Sequence, residues 1–549
     1  MKKIVIIGGV AGGMSAATRM RRLDATAEII VLEKSGHVSY ANCGLPYFVG
    51  GVIENENDLL LQTPTSLHNR FRLDVRVLSE AIEIKAKEKL VLVRNIESGE
   101  EYELVFDKLV LSPGATSIVP NLPGVERAFT LRTVEDVELM AGEVATKPRS
   151  AVVIGGGFIG VEIAENLVHK GISVAMVEAT DQVLAPLDPE MVSFVHTEIR
   201  SHGVALHLGA GAAEITADAV LLSDGSAIPA DMVIMAIGVR PDIRLARQAE
   251  LLIGTRGGIA VNNHHQTSHP DIYAIGDAAE KVDALDGSST LVPLANLANR
   301  HGRVVADHIA GVATRDVPTI GTAIVKVFDL TIATTGWNEK RLRAAGRAFL
   351  AIHSHPSSHA GYYPGARQMA LKMLMNPLTG EILGAQAVGT EGVDKRIDVI
   401  ATAIRAGLSA PELADLELAY APPFGSAKDP VNMLGYIAEN VLSGLVATTQ
   451  WSDVAEELIL GAKLVDVRSA GEFAAGSIPG AVNIPVDEIR ERTSEIPLGK
   501  MIVLCQVGQR GHTASLLLQD LGHNASNLDG GYRTWKNSPA SLTTNLQPA

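Results

Sequence analysis

The chain begins with a short apolar run that leads into glycines, and the same arrangement occurs a second time. Residues 3–7 lead into the glycine-rich segment 8–13, after which the pattern predicts a helix from Met14. Residues 150–154 lead in the same way into 155–160 and a second helix. A short apolar run before a glycine turn is typical of a buried parallel strand. The pattern therefore predicts two strand–turn–helix units of the α/β type.

Each unit has an acidic residue at the end of its second predicted strand. The strand at 28–32 is followed by Glu33, and the strand at 173–177 is followed by Glu178. Each acid lies about twenty residues beyond the last glycine of its turn, as in the dinucleotide-binding fingerprint. In that fingerprint the helix N-terminus holds the pyrophosphate and the carboxylate binds a ribose hydroxyl. The first turn departs from it, because Val10 stands where the second glycine belongs.

Glu178 also indicates which nicotinamide cofactor to expect. A carboxylate at this position accepts hydrogen bonds from the adenosine diol and repels a 2′-phosphate. The next two residues, Ala179 and Thr180, add no positive charge. We therefore expect NADH rather than NADPH.

The chain has two cysteines in 549 residues, and they lie in different settings. Cys43 follows the first glycine turn, and Cys505 opens a loop that ends at Arg510 with the spacing Cys-x4-Arg. The backbone N–H groups of such a loop would surround the sulfur as an anion nest and stabilise a thiolate or a persulfide. Two lone thiols exclude a disulfide scaffold and indicate two linked steps of sulfur chemistry.

Charge and hydropathy narrow the class of protein further. The net charge of −15 argues against a nucleic-acid partner, although Arg19, Arg21 and Arg22 could hold a phosphate locally. No stretch is apolar for long enough to span a bilayer, and the apolar start fits a first strand better than a signal peptide. We expect a cytoplasmic protein. His264 and His265 have no nearby cysteine ligands, so we expect no metal site.

Two further segments give residues 1 to about 440 a family resemblance. Residues 107–115 resemble the crossover between the FAD and NAD domains of the two-dinucleotide flavoprotein disulfide reductases, and residues 272–277 resemble their second flavin motif. Within that group the chain is similar to the coenzyme A disulfide reductases. The cofactors that this resemblance implies are FAD and NADH, with coenzyme A as the carrier of the substrate sulfur.

The last hundred residues resemble a rhodanese domain. The matching segments are 464–468, 472–473, 476–485 and 530–535. Ser477 stands where histidine is common in that family, and we interpret it as a surface-turn position. The whole chain thus resembles the coenzyme A disulfide reductase–rhodanese fusions, also described as NADH-dependent persulfide reductases.

The fold class that follows is α/β, with two Rossmann-like dinucleotide-binding domains, an α+β dimerisation domain and a C-terminal α/β rhodanese domain. The resemblance implies a homodimer. The expected boundaries are 1–115 and 246–320 for the FAD-binding domain, 116–245 for the NAD-binding domain, 321–445 for the dimerisation domain and 452–549 for the rhodanese domain.

The motifs and the resemblance together imply a set of site residues. The expected cofactor-binding residues are Gly8, Gly9, Val10, Ala11, Gly12, Gly13, Glu33, Asn42, Ala115, Gly155, Gly157, Gly160, Glu178, Gly238, Gly276 and Asp277. The resemblance implies substrate contacts at Ser15, Arg19, Arg22, Ser39, Asn42, Asn299 and Lys428. The expected catalytic residues are Cys43, Cys505, Tyr362, Tyr420 and Arg510.

Cys43 lacks the partner that related reductases have in a Cys-x4-Cys pair, because Phe48 occupies the second position. The substrate must then supply the other sulfur, which gives a mixed disulfide with a small thiol. A cysteine beside oxidised flavin should have a depressed pKa, and its thiolate is the attacking form. The family brings two tyrosines from the partner subunit to this sulfur, at positions that match Tyr362 and Tyr420.

The expected function is NADH-driven, FAD-dependent reduction of coenzyme A persulfide or polysulfide, with coenzyme A disulfide as a further substrate. Sulfide is released, and the rhodanese domain delivers sulfane sulfur. One alternative is an NADH oxidase or peroxidase with a lone cysteine sulfenate, although Val10 occupies the region where such peroxidases place a histidine. A second is a coenzyme A disulfide reductase whose C-terminal domain is only auxiliary. A third is a redox-sensing interaction protein with a docking rhodanese module.

Overall fold

The structure is a computed structural model that describes residues 2–315 and 317–543. The chain divides into two compact units, the first made of Met1–Val183 with Gly203–Thr319 and the second of Leu184–His202 with Ile320–Ala549. Among the described residues, no helix is both long and apolar enough to cross a membrane.

The first unit begins with a strand, a helix and a second strand in the predicted order. Its elements up to the first crossover are β1 (Lys3–Ile7), α1 (Ala11–Leu23), β2 (Glu28–Leu32), α2 (Leu45–Val49), α3 (Pro64–Phe71), β3 (Asp74–Arg76), β4 (Ser79–Lys85), β5 (Leu90–Asn95), β6 (Glu101–Val105), β7 (Lys108–Leu111) and β8 (Ala115–Ser117).

The second strand–turn–helix motif of the first compact unit comes next, and the chain then returns to the sheet that contains β1. The elements of this part are β9 (Ala128–Phe129), α4 (Val134–Ala145), β10 (Ser150–Ile154), α5 (Phe158–His169), β11 (Ser173–Glu178), β12 (Ala205–Leu208), β13 (Ala212–Ile215), β14 (Ala219–Leu222), β15 (Ala227–Pro229), β16 (Met232–Met235), β17 (Val239–Pro241), α7 (Arg244–Gln248), β18 (Ile272–Ala274), β19 (Lys281–Val282), β20 (Ser289–Thr290) and α8 (Ala295–Ile309). Helix α6 (Pro189–Ser201) lies between β11 and β12 in the chain but belongs to the second compact unit.

Two parallel five-stranded sheets form the centre of the first unit. Their strand orders are β18-β7-β1-β2-β3 and β12-β11-β10-β16-β9. β1 pairs with both β2 and β7, and β10 pairs with both β11 and β16. The inner strands are apolar on both faces because both faces are covered: in the first sheet, α1 and α8 pack on one face, and α7 packs with β4, β5 and β6 on the other. β8 and β17 pair antiparallel, which places the two crossover segments side by side.

Both glycine turns are tighter than the sequence pattern predicts. The first helix begins at Ala11 rather than at Met14, so Gly13 lies inside its first turn. There it approaches the Gly8 carbonyl oxygen so closely that a Cβ would collide with that oxygen. Glycine at that position lets the helix start directly against the end of β1. β11 continues to Glu178, one residue beyond the predicted strand at 173–177.

The second unit contains an antiparallel sheet flanked by helices. Its elements up to the rhodanese-like segment are β21 (Ala323–Val327), β22 (Leu330–Gly336), α9 (Glu339–Ala344), β23 (Leu350–Ser354), β24 (Ala370–Met375), β25 (Ile382–Gly389), α10 (Val393–Ala406) and α11 (Pro430–Leu442). The strand order is β21-β22-β25-β24-β23. Side chains of β24, β25, α10 and α11 share one buried apolar cluster.

A parallel sheet completes the second unit. Its elements are β26 (Thr448–Thr449), α12 (Val454–Ile459), β27 (Lys463–Asp466), α13 (Ala470–Ala474), β28 (Val482–Asn483), β29 (Lys500–Leu504), α14 (Gln509–Asp520), β30 (Asn524–Leu528), α15 (Gly531–Lys536) and α16 (Pro539–Thr543). The strand order is β26-β30-β29-β27-β28, and apolar clusters lie on both faces. The predicted α/β fold class is confirmed, while the domain boundaries stay a prediction.

Candidate functional site

The first glycine turn forms a cradle at the end of β1. Gly8 has a φ of 103°, and its backbone N–H donates to the Leu32 carbonyl oxygen at 2.9 Å. The Glu33 carboxylate accepts the backbone N–H of Gly9 at 2.7 Å and that of Ser35 at 3.0 Å. Burial raises the pKa of Glu33, and these hydrogen bonds oppose the rise. The acid is thus fixed beside the turn, where it would meet a ribose hydroxyl.

The second turn repeats this geometry. Gly155 has a φ of 111°, and the Glu178 carboxylate accepts the backbone N–H of Gly156 at 2.8 Å. A Cβ on Gly157 would meet no atom within 4 Å, so the packing of the protein does not require glycine there. The open space above Gly157 fits the close approach of a pyrophosphate. In the first turn the corresponding Val10 is half-buried and precedes α1.

Arg132 connects the first crossover segment, at Ala115, with the second flavin-like motif, at Asp277. Its guanidinium contacts the Asp277 carboxylate at 2.7 Å and donates to the Ala115 carbonyl oxygen at 3.2 Å. Gly238 and Gly276 have positive φ angles of 122° and 69° in the same part of the unit. Arg132 could not be predicted from the sequence, because it lies in no motif and only the folded chain brings it to Asp277.

Cys43 lies in a short 3-10 turn, Asn42–Gly44, directly before α2. The residue is exposed, yet the surrounding protein partly desolvates its sulfur. This desolvation raises the pKa of Cys43, and the Glu162 carboxylate raises it further. The shift is opposite to the depressed pKa expected beside oxidised flavin. A depression would therefore have to come from the bound cofactor rather than from these protein groups.

Glu162 is a second residue that the sequence analysis missed. It lies on α5, which packs against the helix that follows Cys43. Burial raises the pKa of Glu162 to about 7, and its carboxylate accepts the Tyr47 hydroxyl at 3.3 Å. A titratable carboxyl group near neutrality beside the reactive sulfur is a common feature of catalytic sites. No sequence signal distinguishes Glu162 from other acids on helices.

The three residues on α1 that are expected to contact coenzyme A each meet the side chain of a residue elsewhere in the first unit. The Ser15 hydroxyl donates to the Asn299 side-chain oxygen at 2.7 Å. The Arg19 guanidinium lies 2.7 Å from Asp307, which already neutralises part of its charge. Arg22 lies over an aromatic ring, with its guanidinium carbon 5.1 Å from the Phe71 centroid.

The other expected substrate contacts are less closely connected. Ser39 has a φ of 49°, and its backbone N–H donates to the Gly9 carbonyl oxygen at 2.8 Å, so it lies beside the first glycine turn. Asn42 directly precedes Cys43. Lys428 belongs to the second unit, where its ammonium lies 5.9 Å from the centroid of the Tyr436 ring. The substrate role of all these residues stays a prediction.

The two tyrosines singled out by the sequence lie together in the second unit. The hydroxyl oxygens of Tyr362 and Tyr420 are 3.0 Å apart, and the residues are 76% and 47% exposed. The hydrogen bond to Tyr420 raises the pKa of Tyr362, so that its phenol stays protonated at neutral pH. The pair therefore presents two proton donors on a surface.

Cys505 is fully buried, in contrast to Cys43. It follows β29, and its side chain belongs to an apolar cluster with a relative exposure of 0%. Gly508 has a φ of 91°, and α14 begins at Gln509. The free N–H groups of the first turn of α14 lie next to the loop and favour negative charge there.

Arg510 is oriented by a bidentate ion pair. Its two terminal nitrogens donate to the Glu472 carboxylate at 2.8 and 2.6 Å. The hydrogen bond to Arg510 lowers the pKa of Glu472 to about 2. A bidentate pair of a guanidinium with a carboxylate fixes the orientation of the guanidinium plane. Arg510 is thus held at the N-terminal end of α14, next to the loop that Cys505 opens.

A buried polar network lies on the other side of this loop. Arg468 contacts Asp466 at 2.6 Å and donates to the Gln506 side chain at 3.0 Å. The Ser477 hydroxyl donates to Asp466 at 2.6 Å and is partly buried. The interpretation of Ser477 as a surface-turn position was wrong, because the turn folds back onto a carboxylate that needs hydrogen-bond donors.

The adjacent histidines His264 and His265 lie in a turn, and the ring of each packs against a histidine of α8. The rings of His264 and His308 are 4.3 Å apart, and those of His265 and His301 are 4.0 Å apart. His264 Nδ1 also lies 2.7 Å from the Thr314 hydroxyl. These contacts give the histidines a packing role in the first unit.

Comparison with protein families identifies three regions. A family model described as pyridine nucleotide-disulphide oxidoreductase matches residues 2–302. The model for the dimerisation domain of that family matches 322–430, and the model for a rhodanese-like domain matches 451–538.

Two groups of known proteins are similar over most of the chain. A coenzyme A disulfide reductase of Staphylococcus epidermidis is 32% identical over 441 residues, which cover 80% of this chain and 100% of that protein. A crystal structure of reduced Bacillus anthracis CoADR-RHD is 47% identical with a TM-score of 0.96, and the match covers 98% of each chain. A NAD-dependent persulfide reductase from A. fulgidus is 35% identical with a TM-score of 0.92, covering 97% of this chain and 100% of that one.

Proposed function

Since the chain belongs to the pyridine nucleotide-disulphide oxidoreductase family, we propose that it uses NADH to reduce coenzyme A persulfide or polysulfide and releases sulfide. Members of this family use FAD and NAD(H), and the two glycine turns with Glu33 and Glu178 fit two dinucleotides. Coenzyme A disulfide would be a further substrate. The similar proteins named coenzyme A disulfide reductase and persulfide reductase support this assignment.

The observation that carries the proposal is that one chain contains two lone thiols, each in a different domain-sized unit. Cys43 is the only cysteine of the first unit, and Cys505 is the only cysteine of the second. Cys43 has no cysteine partner with which to form an internal disulfide, so its partner sulfur must come from the substrate. Cys505 lies in a loop with the length and setting of a sulfur-carrying rhodanese loop.

The reaction at Cys43 is a thiol–disulfide exchange. Its thiolate attacks the coenzyme-A-side sulfur of the persulfide, the sulfur–sulfur bond breaks, and hydrosulfide leaves with the electron pair. Cys43 is then joined to coenzyme A. Bound FAD supplies the two-electron connection to NADH, and two electrons and a proton return the mixed disulfide to the Cys43 thiolate and coenzyme A.

In this proposal the tyrosine phenols donate a proton to the leaving sulfide. Tyr362 and Tyr420 form an exposed, hydrogen-bonded pair, as expected for residues that a homodimer brings to the reactive sulfur of the partner subunit. The raised pKa of Tyr362 keeps a donatable proton available at neutral pH. Both thiols would stay reduced in a cytoplasmic compartment, which is the location we expect for this chemistry.

The test is anaerobic NADH consumption with polysulfide, with and without catalytic coenzyme A, while released sulfide is trapped. Acceleration of both signals by coenzyme A supports a persulfide reductase with a carrier thiol. Consumption that requires oxygen or peroxide and ignores coenzyme A would instead assign an oxidase or peroxidase. Absence of steady-state turnover with any of these substrates would favour a redox-sensing interaction protein.

A further inference from the structure

A chain of buried charged groups joins the antiparallel sheet of the second unit to the loop after β30. His353 lies on β23 and is 3% exposed, and Asp529 follows β30 and is 4% exposed. His353 Nδ1 lies 2.6 Å from Asp529 Oδ2, and the His353 backbone N–H donates to Asp529 Oδ1 at 3.1 Å. His353 Nε2 lies 3.0 Å from Glu190 Oε1. Each ring nitrogen therefore faces a carboxylate.

Two facing carboxylates require a protonated His353. A neutral imidazole donates from one nitrogen only, whereas an imidazolium donates from both. Burial opposes the charge, but attraction to Asp529 and the hydrogen bonds to both carboxylates raise the pKa of His353 to about 9. At neutral pH the two residues thus form a buried ion pair.

Lys372 on β24 is the cation that the three other carboxylates of this network share. Its ammonium is 0% exposed and contacts Glu190, and it lies 2.9 Å from Asp188 Oδ2 and 2.6 Å from Glu339 Oε1. Buried charges are tolerated when they are paired and hydrogen-bonded. The His353–Asp529 pair is therefore one end of a buried network in which His353 and Lys372 each lie between carboxylates.

The residues that follow Asp529 contact the backbone of Cys505. Gly530 and Gly531 have φ angles of 66° and 65°, a conformation that favours glycine. A Cβ on Gly531 would lie 2.5 Å from the Cys505 carbonyl oxygen, and the Tyr532 backbone N–H donates to that oxygen at 2.8 Å. A displacement of Asp529 is therefore transmitted through two residues to Cys505.

A second set of contacts fastens the same helix, α15. His355 Nε2 lies 2.7 Å from the Thr534 hydroxyl, and the Arg533 side chain contacts Gln368. The Arg533 backbone N–H donates to the Gln506 carbonyl oxygen at 3.0 Å, inside the loop that Cys505 opens. One short helix thus contacts His355 and Gln368, which flank strands of the antiparallel sheet, and also the loop that Cys505 opens.

We propose that His353 and Asp529 are positioning residues that hold the Cys505 loop in a fixed place on the antiparallel sheet, from which sulfane sulfur passes to the coenzyme A thiol. This inference rests on the proposed function for the identity of the acceptor. A fixed donor sulfur would keep the reacting atoms aligned, and alignment errors of about 1 Å lower such rates up to about a hundredfold.

The step that depends on this alignment is a sulfur transfer. The coenzyme A thiolate attacks the outer sulfur of the Cys505 persulfide, and a new sulfur–sulfur bond forms on coenzyme A. The bond between Cys505 and that sulfur breaks, and its electron pair stays on Cys505 as a thiolate. The outer sulfur carries its proton along, so no external oxidant or reductant is needed.

The experiment compares Asp529→Asn, His353→Gln and a matched control, Thr534→Val, in the full-length holoenzyme. The first two remove the ion pair but keep the size of the side chain. The control removes a neutral hydrogen bond from the same contact and leaves the ion pair intact. If one ion-pair variant fails to fold, the other still decides the outcome.

Three rates are measured on each variant. The first is NADH consumption with polysulfide and coenzyme A, the second is sulfur transfer from thiosulfate to cyanide, and the third is NADH consumption with preformed coenzyme A persulfide. We expect the first rate to fall about tenfold in both ion-pair variants. The rate of sulfur transfer to cyanide should stay at the wild-type value, because cyanide is small enough to reach a displaced loop. The rate with preformed coenzyme A persulfide should also stay unchanged, because that substrate bypasses Cys505.

A wild-type first rate in both ion-pair variants would overturn the proposal. A parallel loss of all three rates together with the melting transition would also overturn it, since that is the signature of a merely structural role. An equal loss in Thr534→Val would assign the effect to the contact as a whole rather than to the ion pair, and would overturn it as well.

A failure of the proposed function would look different, because the wild-type protein itself would then show no response to coenzyme A. In that case amide hydrogen exchange at residues 505–510 decides the positioning role. Faster exchange in Asp529→Asn and His353→Gln than in Thr534→Val supports the proposal. Unchanged exchange overturns it.

Discussion

The two thiols of this chain have opposite surroundings. Cys43 is exposed beside acidic groups, and burial and like charge raise its pKa. Cys505 is 0% exposed in an apolar cluster, and its carbonyl oxygen accepts the Tyr532 backbone N–H. The protein groups around Cys43 hold the thiol protonated, so activation there depends on a bound cofactor. The loop around Cys505 is already built by the protein alone.

The largest expected effect separates the two thiols by function. We expect Cys43→Ser to lower NADH-driven release of sulfide from coenzyme A persulfide by on the order of 10³ or more, because it removes the nucleophile. Sulfide trapping under anaerobic conditions measures this rate. The matched control is Cys505→Ser, which should keep that rate and lose turnover of polysulfide. Equal losses in the two variants would show that the thiols do not act in separate steps.

The next effect concerns Lys372 and the buried charges that link the antiparallel sheet to Asp529, near the Cys505 loop. We expect Lys372→Met to lower the free energy of unfolding of the second unit by about 3–5 kcal/mol, because three carboxylates lose their cation in a buried site. Scanning calorimetry of the full chain measures it. Lys395→Met is the control, since Lys395 is partly exposed and Asp429 keeps Arg396. A control loss as large as that of Lys372→Met would contradict the prediction.

Alkylation tests the difference in exposure directly. Each single serine variant leaves one thiol, so iodoacetamide reports on Cys43 in Cys505→Ser and on Cys505 in Cys43→Ser. We expect Cys505 to react at least about tenfold more slowly at pH 8, because reagent reaches it only when the loop opens. Mass spectrometry of quenched samples gives both rates. Equal rates would show that the Cys505 loop is open in solution.

The smallest expected effect concerns the contribution of Glu162 to the pKa of Cys43. Above pH 7 the Glu162 carboxyl group is ionised and raises the pKa of Cys43; below pH 7 it becomes neutral and the repulsion is lost. Glu162→Gln should therefore lower the pKa of Cys43 and move the rise of its alkylation rate to lower pH. A repulsion of about 1 kcal/mol corresponds to roughly a fivefold higher rate.

The measurement uses the Cys505→Ser background, with alkylation followed between pH 6 and 9. Glu143→Gln is the control, because Glu143 lies on α4 and is not among the groups that shift the pKa of Cys43 or of Glu162. An unchanged pH profile in Glu162→Gln would assign the raised pKa of Cys43 to burial alone.

Local patterns predicted the strands and turns of the nucleotide-binding units closely. β1, β2 and β10 begin and end at the predicted residues, because a buried parallel strand must be apolar on both faces and stops where glycine allows a turn. The start of α1 was predicted three residues too late. Helix propensity disfavours glycine, but the close approach at Gly13 overrides that preference.

Contacts between distant segments could not be predicted in the same way. Arg132 meets Asp277, and His353 meets Asp529, across 145 and 176 residues. Ser477 turned out to be a donor to Asp466 rather than a surface residue, because the fold left a buried carboxylate to satisfy. None of these residues stands out in sequence, since a charge or hydroxyl looks the same whether solvent or a partner surrounds it.

The amino-acid sequence by itself determined the two glycine turns with their acids, the lack of a second cysteine near Cys43 and the short Cys505 loop. Those features depend on residue type and spacing within a few positions, where chain geometry leaves little freedom. Only the tertiary structure decided the exposure of each thiol, the groups that shift its pKa and the buried ion pair behind Cys505. Those properties depend on dielectric surroundings and on distances between segments, which exist only after the chain has packed.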